Sequence, residues 1–289
     1  MICFKNILRF LINKTSKYEI IHMFNTEVNY INRKQVLHID DPSYSEDEID
    51  LLKQWSLKVR SNKGSPIVIC TNSYTRDWYF EKSLEVEILV IEQGFHPINL
   101  SNKSKSDSFS CVYSSPYIHF EGDKHENHST WGSELLISKI IPEINARDKE
   151  IEIHLIGQVG KNAKKALSKF ENIFIYGRVD FLENMSILSE RSIGIYPRTF
   201  DHKRSILKIY SYIGAGLPIV TFDLFDTKVV KDNELGFSVT NCEEFVDKII
   251  ELKSNELLYN SYRKKVLKFR AAHTWELLAH KMESQITRL

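Results

Sequence analysis

The order of apolar runs along this chain predicts an α/β protein built on parallel sheets and divided into two domains. Short β-rich runs alternate with stretches of helical periodicity over most of the length, the grammar of repeated strand–helix–strand units. The 289 residues suffice for about two domains of ordinary size, each with its own core. Between two such series lies a polar, serine-rich stretch, 101–110, that reads as an exposed connector.

In the first series, β-runs predict strands at 18–24, 35–39, 66–71 and 86–91, with helices at 45–59 and 76–82. After the connector the predicted order is strand 117–121, helix 131–145, strand 151–156, helix 163–170, strand 173–176, helix 181–189 and strand 193–196. Then comes the most informative segment. Leu207, Tyr210, Ile213 and Leu217 recur at helical spacing, Gly216 supplies the positive φ that ends a helix, and Pro218 cannot continue one. A β-run over 219–222 follows at once, so the segment is a helix carrying one buried cation, Lys208, toward a Gly-Leu-Pro turn and a strand. A short strand at 237–239 comes next, and from Glu243 the chain reads as helices, the last over 273–287.

Charge and cysteine content exclude several classes of function. With 39 basic and 38 acidic residues the net charge is +1, which gives no global field for nucleic acid; any basic function is local. Cys3, Cys70, Cys111 and Cys242 lie far apart, which disfavours a disulfide framework or a cysteine zinc site and fits a reducing cytoplasm. Residues 1–14 are apolar and basic, but Lys5 and Arg9 interrupt the run and no cleavage site follows, so they read as an amphipathic helix rather than a signal peptide. Packing on a sheet is the expected fate of that helix, and peripheral contact with a membrane is the alternative. His125 and His128 stand three apart without evident third and fourth ligands, so no metal site is expected.

The Lys208 segment resembles the carboxy-terminal domain of GT-B glycosyltransferases of the large group 1, family 4 type. There a Lys/Glu-x-x-Glu-Tyr-x-Ala-x-Gly-x-Pro-Val-Val helix faces the donor diphosphate. Further pieces match in the same order. Leu155-Ile156-Gly157-Gln158-Val159-Gly160 resembles the strand-to-loop step at which glycines admit a phosphate before the positive end of a helix. Ile175-Tyr176-Gly177-Arg178-Val179 resembles the nucleobase loop, and Ile195-Tyr196-Pro197 the entry to the sugar loop.

The resemblance implies a GT-B-like fold, two Rossmann-like domains with parallel sheets facing a cleft. The expected layout is an abbreviated acceptor-side domain at 1–105, a nucleotide-sugar domain at 106–272, and a final helix at 273–289 that crosses back to the first domain, with Trp275 as its aromatic anchor. It implies transfer of a sugar from a nucleoside-diphosphate sugar to a carbohydrate or lipid-linked acceptor, with no cofactor and no metal. Gly157, Gly177, Arg178, Val179, Arg198, Arg204, Lys208 and Gly216 are the expected donor-binding residues.

The chemistry accounts for these residue types. As the donor's anomeric C–O bond breaks, negative charge grows on the β-phosphate. An ammonium such as that of Lys208 at about 4 Å contributes on the order of 4 kcal/mol at an intermediate dielectric, before desolvation is counted. Arg198 and Arg204 fall in a loop that gathers cations at the start of the Lys208 helix, an arrangement favourable only with an anion between them. Asp40, in Val36-Leu37-His38-Ile39-Asp40-Asp41-Pro42, stands where related enzymes have a histidine facing the cleft, and there a carboxylate serves as general base in an inverting reaction. Its other reading is a solvated residue beside a helix cap at Asp41.

Departures from the pattern open a second reading. The paired glutamates of many retaining members are replaced by Lys203 and Ser211, and Asp123 follows Gly122 where an arginine is common. Residues 17–22 resemble a strand found midway through such first domains, implying that the first domain is compact, truncated or completed by a separate chain. A noncatalytic partner of an active glycosyltransferase is therefore the alternative, with a sugar-nucleotide epimerase a third. An incomplete sheet would favour a homo-oligomer or a complementary chain.

Overall fold

The computed structural model describes residues 18–22, 34–39, 42–61, 63–95, 108–123, 132–203 and 206–288. The predicted amino-terminal amphipathic helix, residues 101–107 of the connector, and His125 and His128 lie outside them. Two compact units form, one from Met1–Gly94, Lys203–Ser205 and Trp275–Leu289, the other from Phe95–His202 and Ile206–Thr274.

Among the described residues the first unit holds four strands, β1 (Tyr18–His22), β2 (Lys34–Ile39), β3 (Ile67–Cys70) and β4 (Glu87–Val90), adjacent in that order and all parallel. β2 and β3 are covered on both faces, which is why they read as apolar runs without polar alternation. Leu37, Ile39 and Val68 pack under the helix Glu46–Ser61 through Ile49, Leu52, Trp55 and Val59. Val36, Ile67 and Ile69 turn the other way, onto Leu278, Met282 and Ile286 of the helix Trp275–Arg288. Gly94 makes that second layer fit, since a Cβ there would lie 2.8 Å from the Trp275 ring.

The helix Glu46–Ser61 carries three acidic residues in its first turn and two basic ones in its last, matching its dipole. Glu48 is buried, but its carboxylate accepts hydrogen bonds from Ser43 and from the Tyr79 hydroxyl, which offsets the desolvation of the charge. The helix Ser73–Glu81 starts three residues before the sequence placed it, because Asn72 caps it through the Thr75 N–H at 2.9 Å.

The second unit is a six-stranded parallel sheet of β5 (Ser110–Ile118), β6 (Glu152–Val159), β7 (Ile173–Gly177), β8 (Ile193–Tyr196), β9 (Ile219–Phe222) and β10 (Gly236–Val239). Its spatial order is β10-β9-β8-β5-β6-β7. One face is covered by the helical stretch from Ser133 to Arg147 and by Cys242–Ser254, through Leu136, Ile140, Ile144, Phe245, Ile249 and Leu252. The other is covered by Phe181–Ser189 and Leu207–Gly214, through Met185, Leu188, Ile209 and Ile213.

Two predicted elements are corrected. β5 begins at Ser110, seven residues before the expected 117, and Ser114-Ser115-Pro116, which reads as a break, is a bulge against β6. The helix from Ser133 widens into a π-helix over Leu136–Ile140 before Ile141–Arg147 resumes the α form. Pro142 explains the widening, because it has no N–H to donate and its ring would strike the carbonyl one α-turn back. Among the described residues no helix is long and apolar enough to cross a membrane.

Phe245 is fully buried with its ring 5.3 Å from that of Phe222. Replacing it by alanine should cost about 3–5 kcal/mol in urea unfolding while leaving the far-ultraviolet circular dichroism of the native chain unchanged.

Candidate active site at the switch point of the six-stranded sheet

Successive strands of the second unit are laid down on one side of β5 as far as β7 and then on its other side from β8, so the winding reverses between β5 and β8. Ligands of doubly wound sheets bind beyond the carboxyl ends of the strands at such a point. β5 and β8 pair only at Cys111 with Ile193 and Val112 with Gly194. Beyond that, Tyr212 stands between them: its hydroxyl accepts from the Ser114 N–H at 3.0 Å and donates to the Ile195 carbonyl at 3.2 Å. Gly194 is required there, since a Cβ would lie 2.5 Å from the Tyr212 ring. Burial pushes the Tyr212 phenol well above its ordinary pKa of 10.0, so it keeps its proton.

One turn earlier on the same helix, the Lys208 ammonium donates to Ser115 Oγ at 3.0 Å and sits 5.7 and 5.8 Å from the ring centroids of Tyr113 and Tyr196. Burial first, and the charge of Arg198 second, bring its pKa from 10.5 down to about 7. Arg198 is 1% exposed. Its Nη1 lies 3.2 Å from the Tyr196 hydroxyl and 3.7 Å from Asp226 Oδ2, and its guanidinium stacks 4.3 Å from the Phe200 ring centroid. Two reciprocal bonds fix this loop: Asp226 accepts from the His202 N–H and Asp201 from the Phe225 N–H, both at 2.8 Å.

On the β7 side, Arg178 donates to the Tyr117 hydroxyl at 2.7 Å and lies over its ring, which stacks in turn on His119 at 5.6 Å. Gly177 adopts φ +75° with open space where a Cβ would be, and Val179 packs against the core beneath the Lys208 helix. Gly157, with φ +140°, lets β6 pass the bulge, as a Cβ would lie 1.7 Å from the Ser115 carbonyl oxygen. Gly216 takes φ +75° and stops the helix.

The helix Lys161–Leu167, expected to offer its positive end to a phosphate, holds a carboxylate of the chain instead. Asp123 accepts from the Asn162 N–H at 2.7 Å and the Ala163 N–H at 3.0 Å. Burial works against its charge, but these bonds and one from the Phe120 N–H outweigh it and hold the pKa below 3.8. Leu207 is also corrected: it is 53% exposed, and the buried face of its helix is Ile209, Tyr210, Tyr212 and Ile213. Ser211, at one of the missing glutamate positions, bonds back to the Leu207 carbonyl. Asp40 and Arg204 lie outside the described residues.

The structure therefore brings Lys208, Arg198 and Tyr196 together and adds Tyr113, Ser115 and Asp226, which the sequence reading did not single out. Pro116, which cannot donate to a neighbouring strand, is the one local signal for the bulge, and Asp226 is 28 positions from Arg198 with no local pattern to join them.

Residues 116–255 match the family model described as glycosyl transferases group 1. This stretch is a group 1 glycosyl transferase domain. No curated protein sequence matches the chain. Among solved structures, TarM is similar at 17% identity and a TM-score of 0.64, over 97% of this chain and 57% of TarM. HepE from Anabaena, solved in complex with UDP-glucose, is similar at 13% identity and a TM-score of 0.60, over 89% of this chain and 73% of HepE. An α,α-trehalose-phosphate synthase (UDP-forming) from Burkholderia vietnamiensis gives 8% identity and a TM-score of 0.59, over 88% of this chain and 69% of that one. At these identities the likeness is one of fold, and the fold is that of GT-B glycosyltransferases. The chain spans little more than half the length of TarM.

Two substitutions test this construction of the group 1 domain. Tyr212→Phe leaves the Ser114 N–H and the Ile195 carbonyl without their phenol partner and should cost about 1–3 kcal/mol in denaturant unfolding. Asp123→Ala should cost about 1 kcal/mol at neutral pH. Because the folded pKa of Asp123 is depressed, its contribution is present above the unfolded carboxylate pKa and lost as pH falls through the folded value. The variant's Tm should therefore fall less steeply than wild type below about pH 4.

Proposed function

We propose that the chain transfers a glycosyl group from a nucleoside-diphosphate sugar to a carbohydrate or lipid-linked acceptor, with the donor held at the switch point of the six-stranded sheet. The observation that carries this reading is the placement of Lys208 there, on the first turn of a helix, bonded to the bulge of β5 and beside Arg198. In this reading the ammonium offsets charge that grows on the β-phosphate as the leaving nucleoside diphosphate departs. Arg198, anchored by Asp226 and Phe200, orients the diphosphate or the sugar. Gly177, Arg178 and Val179 lie beside the nucleobase, with Arg178 held in place by the Tyr117 hydroxyl. The unit formed by Met1–Gly94 and Trp275–Leu289 takes the acceptor, and Asp40, which follows β2 directly, accepts the proton of its hydroxyl in an inverting reaction. The UDP-glucose in HepE supports a uridine diphosphate sugar as the first donor to test. The scattered cysteines support a cytoplasmic location.

One observation favours the noncatalytic reading: Ser211 stands at a glutamate position and is bonded to its own helix. Assay of nucleoside diphosphate release from UDP-, GDP- and ADP-sugars by the purified chain separates the two. On the catalytic reading one donor is consumed, and Lys208→Ala slows release about 10²–10³-fold without loss of fold. A folded chain that binds a donor but releases nothing with any acceptor supports the noncatalytic partner.

A further inference from the structure

We infer that the β7 edge of the six-stranded sheet binds the same edge of a second copy of this chain, antiparallel about a two-fold axis at Ile175, so that two sheets join through their backbones. The inference concerns the second unit alone and does not rest on the donor-site reading. β7 ends the sheet, and among the described residues it pairs with β6 only. The Ile153 N–H donates to the Asn172 carbonyl at 2.9 Å, so Asn172 and, two residues on, Phe174 turn their backbone groups toward β6. Ile173 and Ile175, on the alternate positions, turn theirs outward.

An outward row of backbone donors and acceptors is a template for another strand, and chains that stay single blunt it with charged residues or proline. β7 contains neither, since it reads Ile173-Phe174-Ile175-Tyr176-Gly177. Phe174, Ile175 and Tyr176 are 42%, 41% and 37% exposed, which puts apolar surface on both faces of the edge where a solvated strand would alternate. Two of these side chains are already set for contact. The buried His154, opposite Phe174 on β6, stacks on the Phe174 ring at 4.8 Å and bonds through Nδ1 to the Tyr176 hydroxyl at 2.9 Å. Both rings are thus held from beneath, so little side-chain freedom is lost when a partner covers them.

A second copy suits this edge because the strand is complementary to itself. With Ile175 on the axis all 5 residues of β7 overlap. Each Ile175 then exchanges both backbone hydrogen bonds with its counterpart, using groups that face away from β6. Phe174 of each copy lies opposite Tyr176 of the other in a close aromatic cross-strand pair, made twice. Glu171 before the strand and Arg178 after it are both exposed, and antiparallel pairing brings Glu171 of each copy toward Arg178 of the other. A net charge of +1 leaves the copies almost no mutual repulsion to overcome.

The test is sedimentation equilibrium of the full chain over the micromolar range, with circular dichroism to establish that each variant is folded. Wild type should reach twice the chain mass of 33.8 kDa. Ile175→Lys sets two like charges face to face on the axis and should leave a folded monomer. Ile175→Pro removes an outward N–H that β6 does not use and should do the same. Position fixes the register as well: Cα atoms of such a hydrogen-bonded pair are about 5.5 Å apart, so Ile175→Cys should form a disulfide between copies on mild oxidation. Phe174→Cys, displaced from its counterpart by two residues along the strand, should crosslink no more than wild type. A wild type that stays monomeric, a dimer that persists in folded Ile175→Lys, or crosslinking through position 174 in place of 175 overturns the inference.

Discussion

A single phenol holds the working end of the six-stranded sheet in shape. β5 and β8 part after two residue pairs, and a parting pair of parallel strands exposes backbone groups that must find partners. Tyr212 supplies both partners at once, as acceptor to β5 and donor to β8. Because it stands one turn after Lys208, the same anchorage sets that residue against the bulge: Ser114 meets Tyr212 and Ser115 meets Lys208. Successive residues of the strand thus receive successive turns of the helix. Two glycines permit this: Gly194 under the ring and Gly157 under the bulge are both required by contact distance, and Gly157 by its φ of +140° as well.

Charge is distributed unevenly around this edge of the sheet. Asp123 and Asp180 neutralise two helix starts, whereas the helix that bears Lys208 begins at an isoleucine. A buried ion pair such as Arg198–Asp226 contributes little net stability, since desolvation of both groups opposes their attraction, but breaking it would strand a charge in the interior. The pair is better understood as a fixed base on which a second cation, Lys208, is held under unfavourable conditions.

Much of the fold was legible from apolar runs, because the inner strands β3, β8 and β9 are buried along their whole length and show as short apolar stretches. The Lys208 helix was legible from its Gly-Leu-Pro stop. What sequence could not convey was geometry that depends on distant partners. Ser114-Ser115-Pro116 looks like a strand break until β6 is seen to pass it with a glycine. The glycines at 157 and 160 look like a phosphate loop, and only the fold shows Asp123, some forty residues upstream, already bonded to the helix end. Tyr113 and Asp226 carry no local mark at all, since an aromatic in a strand and an aspartate before a short helix are ordinary in isolation.

The loop between β8 and the Lys208 helix is held through its main chain by two aspartates. Asp201 and Asp226 grip the main chain of Phe225 and His202, and no side chain at those two positions takes part in the grip. Exchanging the side chains of His202 and Phe225 therefore removes neither of these two bonds, whose donors are main-chain N–H groups. The path of this loop is thereby written into two carboxylates rather than into the side chains it displays.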